Sequence, residues 1–128
     1  MSLMLLGHLR LAKGDQDRAR AELTEAAGLF ASTGNMVYMP WCLEGLAGVA
    51  AAGHRFGRAA EIAGARDALR AQTGVLLPPV HPAGYEPMLA AVRDGLGADE
   101  FRAAHDRLAG RPPPELIAAV TEEEAEHE

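Results

Sequence analysis

Residues 3–30, LMLLGHLRLAKGDQDRARAELTEAAGLF, carry the spacing that decides the fold. Small residues stand at Gly7, Gly14, Ala19 and Ala26, with leucines and a phenylalanine between them. Two helices joined by a tight turn need small residues where they approach most closely, and Gly14 can adopt the left-handed backbone of such a turn. The stretch therefore predicts a helix hairpin, with Ala19 and Ala26 at the helix contact.

A second hairpin begins near Trp41, has a turn at Gly53-His54, and continues through Ala59. Together the two copies predict an all-α fold, a right-handed antiparallel helical-hairpin array of the tetratricopeptide kind with six to seven helices. Gly7 and Ala47 are 40 positions apart. Because an ordinary tetratricopeptide repeat has about 34 residues, we expect longer helices or a longer connection at residues 33–35. His54 also stands where a Gly-Asp turn is expected.

The chain divides into four predicted segments. They are two helix hairpins at 1–74, a proline-rich connector at 75–82, a C-terminal helical capping segment at 83–121 and an acidic tail at 122–128. The expected helices span residues 3–13, 16–33, 38–52, 56–73, 83–96 and 99–109, and a seventh opens at prolines 112–114. Because the connector is proline-rich yet apolar, we expect it to lie over the groove or one end of the array.

Charge along the chain excludes two classes of partner. The net charge of -6 belongs to the last part of the chain, which has six glutamates and no lysine or arginine after prolines 112–114. The remaining twelve acids balance the twelve bases. A neutral body predicts no binding of nucleic acid or of a membrane surface through this chain. The lack of a basic signal sequence favours a cytoplasmic location. The single Cys42 excludes an intramolecular disulfide, and we expect it to be a buried, inert thiol.

Catalytic patterns are not found. The five histidines are scattered, and none has the spacing of a metal site. His105 and Asp106 are adjacent, so we expect them to point to different helix faces and to form no dyad. Glu22 and Glu25 are expected on a solvated face. The sequence therefore predicts no enzyme, no cofactor and no metal.

Short stretches in a fixed order resemble a known group of bacterial regulators. They are 43–47 (LEGLA), 58–60 (RAA), 64–65 (GA), 69–70 (LR), 73–74 (TG), 77–79 (LPP), 85–86 (YE), 90–91 (AA), 96–97 (LG) and Phe101. The order is similar to the extreme C-terminus of actinobacterial LuxR-type and related antibiotic-regulatory proteins, in which an ATPase module precedes tetratricopeptide repeats. The resemblance implies a helical sensor or interaction module of a transcriptional regulator, with DNA and ATP bound by other domains.

The first helix of each hairpin is expected to line a concave binding groove. The predicted groove residues are Met4, His8, Leu11, Trp41, Glu44 and Gly48. Trp41 is the strongest candidate, because tryptophan dominates binding hot spots. The alternative interpretation makes Trp41 a core anchor beneath the connector. For Met4 and His8, the alternative is that they belong to the exposed end of an array whose preceding repeats are missing.

Two functions remain from the sequence. The first is a protein-interaction module that binds a protein, a peptide or a second copy of itself. The second is a sensor module that holds a small-molecule effector near Trp41. An open groove with Glu44 and arginines favours a peptide, and an enclosed apolar pocket favours a small molecule. We also expect a homodimer through the first hairpin, because the apolar run at 3–6 includes Leu3, Leu5 and Leu6 with no preceding helix to cover it.

Overall fold

The computed structural model describes residues 2–74, 77–79 and 82–126, with side chains described for 3–74, 77–79 and 84–121. Within these ranges the chain forms seven α-helices and no strand, which confirms the all-α class. The helices are α1 (Ser2–Ala12), α2 (Gln16–Thr33), α3 (Met39–Ala52), α4 (Phe56–Thr73), α5 (Pro82–Leu96), α6 (Ala98–Asp106) and α7 (Pro113–Glu126). None of these helices is both long and apolar enough to cross a membrane.

The predicted boundaries differ from the observed ones mainly in the last third of the chain. The expected end of the sixth helix at Ala109 is wrong, because α6 stops at Asp106 and the backbone turns through Gly110, whose φ is 84°. α7 extends through Glu126 into the segment expected to be an acidic tail. The side chains of that segment lie outside the described residues, as do residues 75, 76, 80 and 81 of the connector.

The α1–α2 pair and the α3–α4 pair have equivalent backbones 40 residues apart. The Asp15 amide donates to the carbonyl of Arg10 at 2.9 Å, and the Arg55 amide donates to that of Ala50 at 2.8 Å. α2 and α4 each have 18 residues and end at glycines with left-handed φ. The extra length expected from the 40-residue spacing therefore lies in the long second helices and in the link at 34–38.

The two tight turns use different residues for the same backbone conformation. Gly14 has φ 84° in the first turn, and His54 has φ 61° in the second. His54 is the one non-glycine with positive φ among the described residues. The unusual Gly53-His54-Arg55 sequence therefore keeps the turn geometry of the first pair, with a side chain placed in the left-handed region that favours glycine.

Leu23 of α2 occupies the contact among the first three helices. A Cβ added to Gly7 would lie 2.6 Å from Leu23 Cγ, and a Cβ added to Gly45 would lie 2.7 Å from Leu23 Cδ1. Leu23 is fully buried between α1 and α3. The expected small-residue contacts are confirmed, since Ala19, Ala26, Ala47 and Ala59 are all buried. Small residues on α1 and α3 thus let both helices close over one leucine.

α4 is packed against the whole C-terminal part of the described chain. α5, α6 and α7 all contact it, and α7 also contacts α2. A Cβ on Gly64 would overlap the backbone carbonyl of His105, so α4 and α6 cross at backbone distance. The buried Arg58 donates to the carbonyls of Ala119 and Val120 at 3.0 and 2.8 Å, which ties α7 to α4. The second helix pair is therefore covered by the later helices.

Candidate functional site

A cleft of about 610 Å³ lies between α1, α3 and α5. Each helix contributes residues from one or two successive turns, which is why positions three or four apart appear together. The lining residues are Leu5, His8, Leu9, Leu11, Ala12, Glu44, Gly48, Gly84, Tyr85 and Met88. The walls are mainly aliphatic, and the small residues leave the space open. The first helices of the two equivalent pairs thus face a common cleft.

Four of the six predicted groove residues line this cleft. They are His8, Leu11, Glu44 and Gly48. Met4 does not, and its placement in the groove is a wrong prediction. It is fully buried, because it lies one turn before Gly7 on the side of α1 that packs against α2.

Trp41 also lies outside the cleft lining. Its indole Nε1 donates to the carbonyl of Pro78 at 2.8 Å, and its ring centroid is 5.1 Å from that of Tyr38. Trp41 therefore does not belong to this cleft. The geometry agrees with the alternative interpretation, an anchor beneath the connector, for the described part of that connector at 77–79.

Sequence reasoning missed the contribution of α5. Gly84, Tyr85 and Met88 form the third side of the cleft. The sequence places Tyr85 on the expected helix 83–96, but local spacing does not indicate which helix it meets. The available signal was the rule that first helices line the groove, which we applied to the first two hairpins and not to α5.

Glu44 of the cleft lining belongs to a buried ion pair. The Arg66 guanidinium Nε lies 3.0 Å from Glu44 Oε2, and its Nη1 lies 2.8 Å from Asp67 Oδ1. Arg66 also lies over the Tyr85 ring, with its Cζ 4.8 Å from the ring centroid. Burial lowers the pKa of Arg66, but Asp67, Tyr85 and Glu44 together outweigh burial and raise it. The charge of Glu44 is therefore compensated within the protein.

Tyr85 and His8 are the other polar groups of the cleft. Tyr85 is 6% exposed, and its buried hydroxyl has no hydrogen-bond partner among the described residues. Burial raises the pKa of Tyr85, so the phenol stays neutral. His8 Nε2 lies 2.7 Å from the carbonyl oxygen of Trp41. Since a carbonyl only accepts, this nitrogen carries the proton.

The expectation that His105 and Asp106 point to different helix faces is wrong. His105 Nδ1 lies 2.9 Å from Asp106 Oδ1, and His105 Nε2 lies 2.8 Å from Asp67 Oδ2. Asp106 ends α6, so its side chain can reach back to its neighbour. Both ring nitrogens are bound to carboxylates, and burial lowers the pKa of His105 less than these two aspartates raise it. The arrangement ties α6 to α4 and leaves neither nitrogen free to accept a substrate proton.

The structure corrects the expectation for Glu22 and agrees with the expectation for Glu25. Glu22 is not simply solvated, because its Oε1 lies 3.0 Å from Arg10 Nε, whereas Glu25 is exposed as expected. Burial raises the pKa of the Cys42 thiol to about 12, which makes it unreactive. No group of ionisable side chains among the described residues has the arrangement of a metal site.

Comparisons with protein families, with curated proteins and with solved structures found no match.

Proposed function

We propose that this chain is a non-enzymatic protein-interaction module that self-associates through α1. In this proposal the helix pairs form a right-handed antiparallel hairpin array of the tetratricopeptide kind. The module belongs to a cytoplasmic bacterial transcriptional regulator of the LuxR or antibiotic-regulatory type, a context supported by the ordered sequence stretches alone. The array binds protein, and other domains bind DNA.

The observation that carries the proposal is an apolar row on α1, which we call the α1 face. It consists of Leu5, Leu6 and Leu9, which are 44%, 38% and 49% exposed. The equivalent positions on α3, 40 residues later, are all buried. They are Gly45, Leu46 and Val49. The α1 face thus has the positions of an interface that α3 uses inside this molecule, and no described residue covers it.

Two of the three leucines expected at a dimer contact belong to this face. Leu5 and Leu6 are exposed, whereas Leu3 is only partly exposed and packs against the core. Leu3 is therefore not an interface residue in this proposal, because it lies on the inner side of α1. Leu9, which was not predicted, takes its place.

A second copy of the chain is the occupant that the contacts favour. The outer side of α4 is already covered by α5 and α6, so a copy stacked head to tail would find no open counterpart. A two-fold contact of the α1 face with itself needs no other surface. The charge pattern also permits it. Arg10, the only charged side chain on α1 with histidine neutral, is paired with Glu22 at 3.0 Å.

Sedimentation velocity across micromolar concentrations tests the proposal. We expect a concentration-dependent dimer for the natural chain and a monomer for the double variant Leu5→Glu, Leu9→Glu. Leu29→Glu is the matched control, since Leu29 is 54% exposed on α2 and lies outside the α1 face. A natural chain that stays monomeric, or a control that dissociates as fully as the double variant, would overturn self-association through α1.

A further inference from the structure

The cleft between α1, α3 and α5 has the size of a small-molecule site. Sites for drug-sized ligands have volumes of roughly 300–1,000 Å³, and this cleft has about 610 Å³. Leu5, Leu9, Leu11 and Met88 provide aliphatic walls. Such walls favour a ligand that buries apolar surface.

The charges of the cleft favour an uncharged ligand. Glu44, the only charged residue among the described lining residues when histidine is neutral, is bound by Arg66 at 3.0 Å and is 4% exposed. A cationic ligand would have to compete with Arg66 for this carboxylate, and an anionic ligand would meet it without compensation. Neither sign of charge is therefore attracted.

The Tyr85 hydroxyl favours a ligand that carries a hydrogen-bond acceptor. A buried hydroxyl without a hydrogen-bond partner destabilises the folded protein. Tyr85 is part of the cleft wall and keeps its proton, and a small rotation of its ring toward the cleft would let the buried hydroxyl donate to a carbonyl, ether or hydroxyl oxygen. A ligand with such an acceptor would satisfy a group that the described residues leave unsatisfied.

We propose that this cleft binds an uncharged, mainly apolar small molecule whose hydrogen-bond acceptor pairs with the Tyr85 hydroxyl. This inference goes beyond protein interaction and does not depend on it. Leu5 and Leu9 contribute to both the cleft and the α1 face. Experiments on the cleft therefore avoid these two leucines and follow ligand binding in place of oligomeric state.

Fluorescence titration with prodan tests the site, because prodan is uncharged, apolar and has a ketone acceptor. We expect saturable binding of one molecule per chain with a blue shift of the emission. The anionic dye anilinonaphthalene sulfonate, the matched charged probe, should bind at least about tenfold more weakly. Absence of saturable prodan binding, or equal affinity for the two dyes, would overturn the proposal.

Two variants locate the binding on the cleft. Ala12→Trp places a large ring on an exposed lining residue and should weaken prodan binding by about tenfold or more. Ala21→Trp adds the same ring to an exposed position of α2 that does not line the cleft, and should leave binding unchanged. Equal effects of the two tryptophans would contradict the location.

Tyr85→Phe tests the acceptor. It keeps the ring over Arg66 and removes the hydroxyl, so prodan affinity should fall several-fold while the circular dichroism spectrum stays unchanged. Unchanged affinity for prodan would refute the hydrogen bond. Sedimentation of the same variants separates this result from self-association, since Tyr85 lies on α5 and not on the α1 face.

Discussion

The first helix pair, α1–α2, and the second, α3–α4, have matching turns and equally long second helices 40 residues apart but bury different side chains. Met4 and Ala26 of the first pair are buried apolar residues, and the equivalent positions of the second pair are the ion pair of Glu44 and Arg66. Both arrangements are nearly inaccessible to water. Equivalent backbone therefore does not require equivalent chemistry in the contact between helices.

The environments of the two pairs explain the difference. The second pair lies between the first pair and helices α5 and α6, so its polar groups find partners on several helices. Arg66 contacts Glu44 on α3, Asp67 on its own helix and Tyr85 on α5. The first pair has apolar contacts at these positions and leaves the α1 face open. The second pair, which other helices cover, has polar contacts that specify those neighbours. The first pair has the α1 face, a surface without a neighbouring helix.

The largest expected effect comes from replacing Glu44 and Arg66 of the second helix pair by the residues at the equivalent positions of the first helix pair. Glu44→Met and Arg66→Ala should each cost about 3–5 kcal/mol of unfolding free energy, because each removes one half of a buried ion pair and leaves the other charge buried. The double variant, with the residues of the first pair, should lose less than the sum of the two, with a coupling of about 2–3 kcal/mol. Urea unfolding measures all three variants.

Additive losses would show that the two side chains act independently. The matched control is Asp67→Ala, which removes an exposed partner of both Arg66 and His105 and keeps Glu44. It should cost about 1 kcal/mol or less. A cost for Asp67→Ala as large as that for Glu44→Met would assign the role of Glu44 to Asp67.

The features that could be predicted from the sequence are those that depend on local spacing. The helices, the left-handed turn at Gly14 and the buried Ala19 follow from spacing within one hairpin, and they were predicted. His8 and Gly48, which spacing placed on the first helices, line the cleft, and each lies on a helix whose inner face follows from its own sequence. These features need no knowledge of distant helices.

Features that depend on distant partners were missed. α1 is apolar on several sides, so spacing alone did not show that Met4 faces inward while Leu5 and Leu9 face outward. Glu44 and Arg66 are 22 residues apart on different helices, and Tyr85 reaches them from a third. Such contacts are set by how the helices cross, which local periodicity does not determine.

The crossing of α4 and α6 is a second difference between the two helix pairs. Gly64 allows backbone contact with α6, whereas the equivalent position in the first pair is Thr24. Gly64→Ala should cost about 3 kcal/mol, since the His105 carbonyl it would strike is backbone and cannot turn aside. Differential scanning calorimetry should show a large drop in Tm.

Gly57→Ala is the control for Gly64 in the same helix. A Cβ at Gly57 meets no atom within 4 Å. The alanine should therefore raise the unfolding free energy by about 0.5–1 kcal/mol, as expected from helix propensity. Stabilisation by both alanines would refute the close contact between α4 and α6.

The two tight turns offer an exchange of residues at one backbone position. His54→Gly removes a side chain from left-handed φ and should stabilise the protein by about 0.5 kcal/mol, a gain limited by loss of the ring contact with Phe56 at 5.7 Å. Gly14→Ala should destabilise it by about 1 kcal/mol. Opposite signs in urea unfolding would confirm that the turns share one geometry, and equal signs would contradict it.

The smallest expected effect is the pH dependence of the link between α4 and α6. Ala27 stands in the first pair where Asp67 binds His105 in the second. The pKa of His105 is lowered by burial but raised overall by Asp106 and Asp67, while Arg93 of α5 and Arg102 of α6 line the same small cleft of about 320 Å³. A raised folded pKa means that the stabilisation is present below the unfolded value and is lost as pH rises through the folded value. The unfolding free energy should therefore decline from mildly acidic to alkaline pH by less than about 1 kcal/mol.

His105→Gln should remove this decline, whereas His54→Gln, which leaves both aspartate contacts in place, should keep it. A decline that persists in His105→Gln would assign the pH dependence to other groups and leave the α4–α6 link insensitive to protonation.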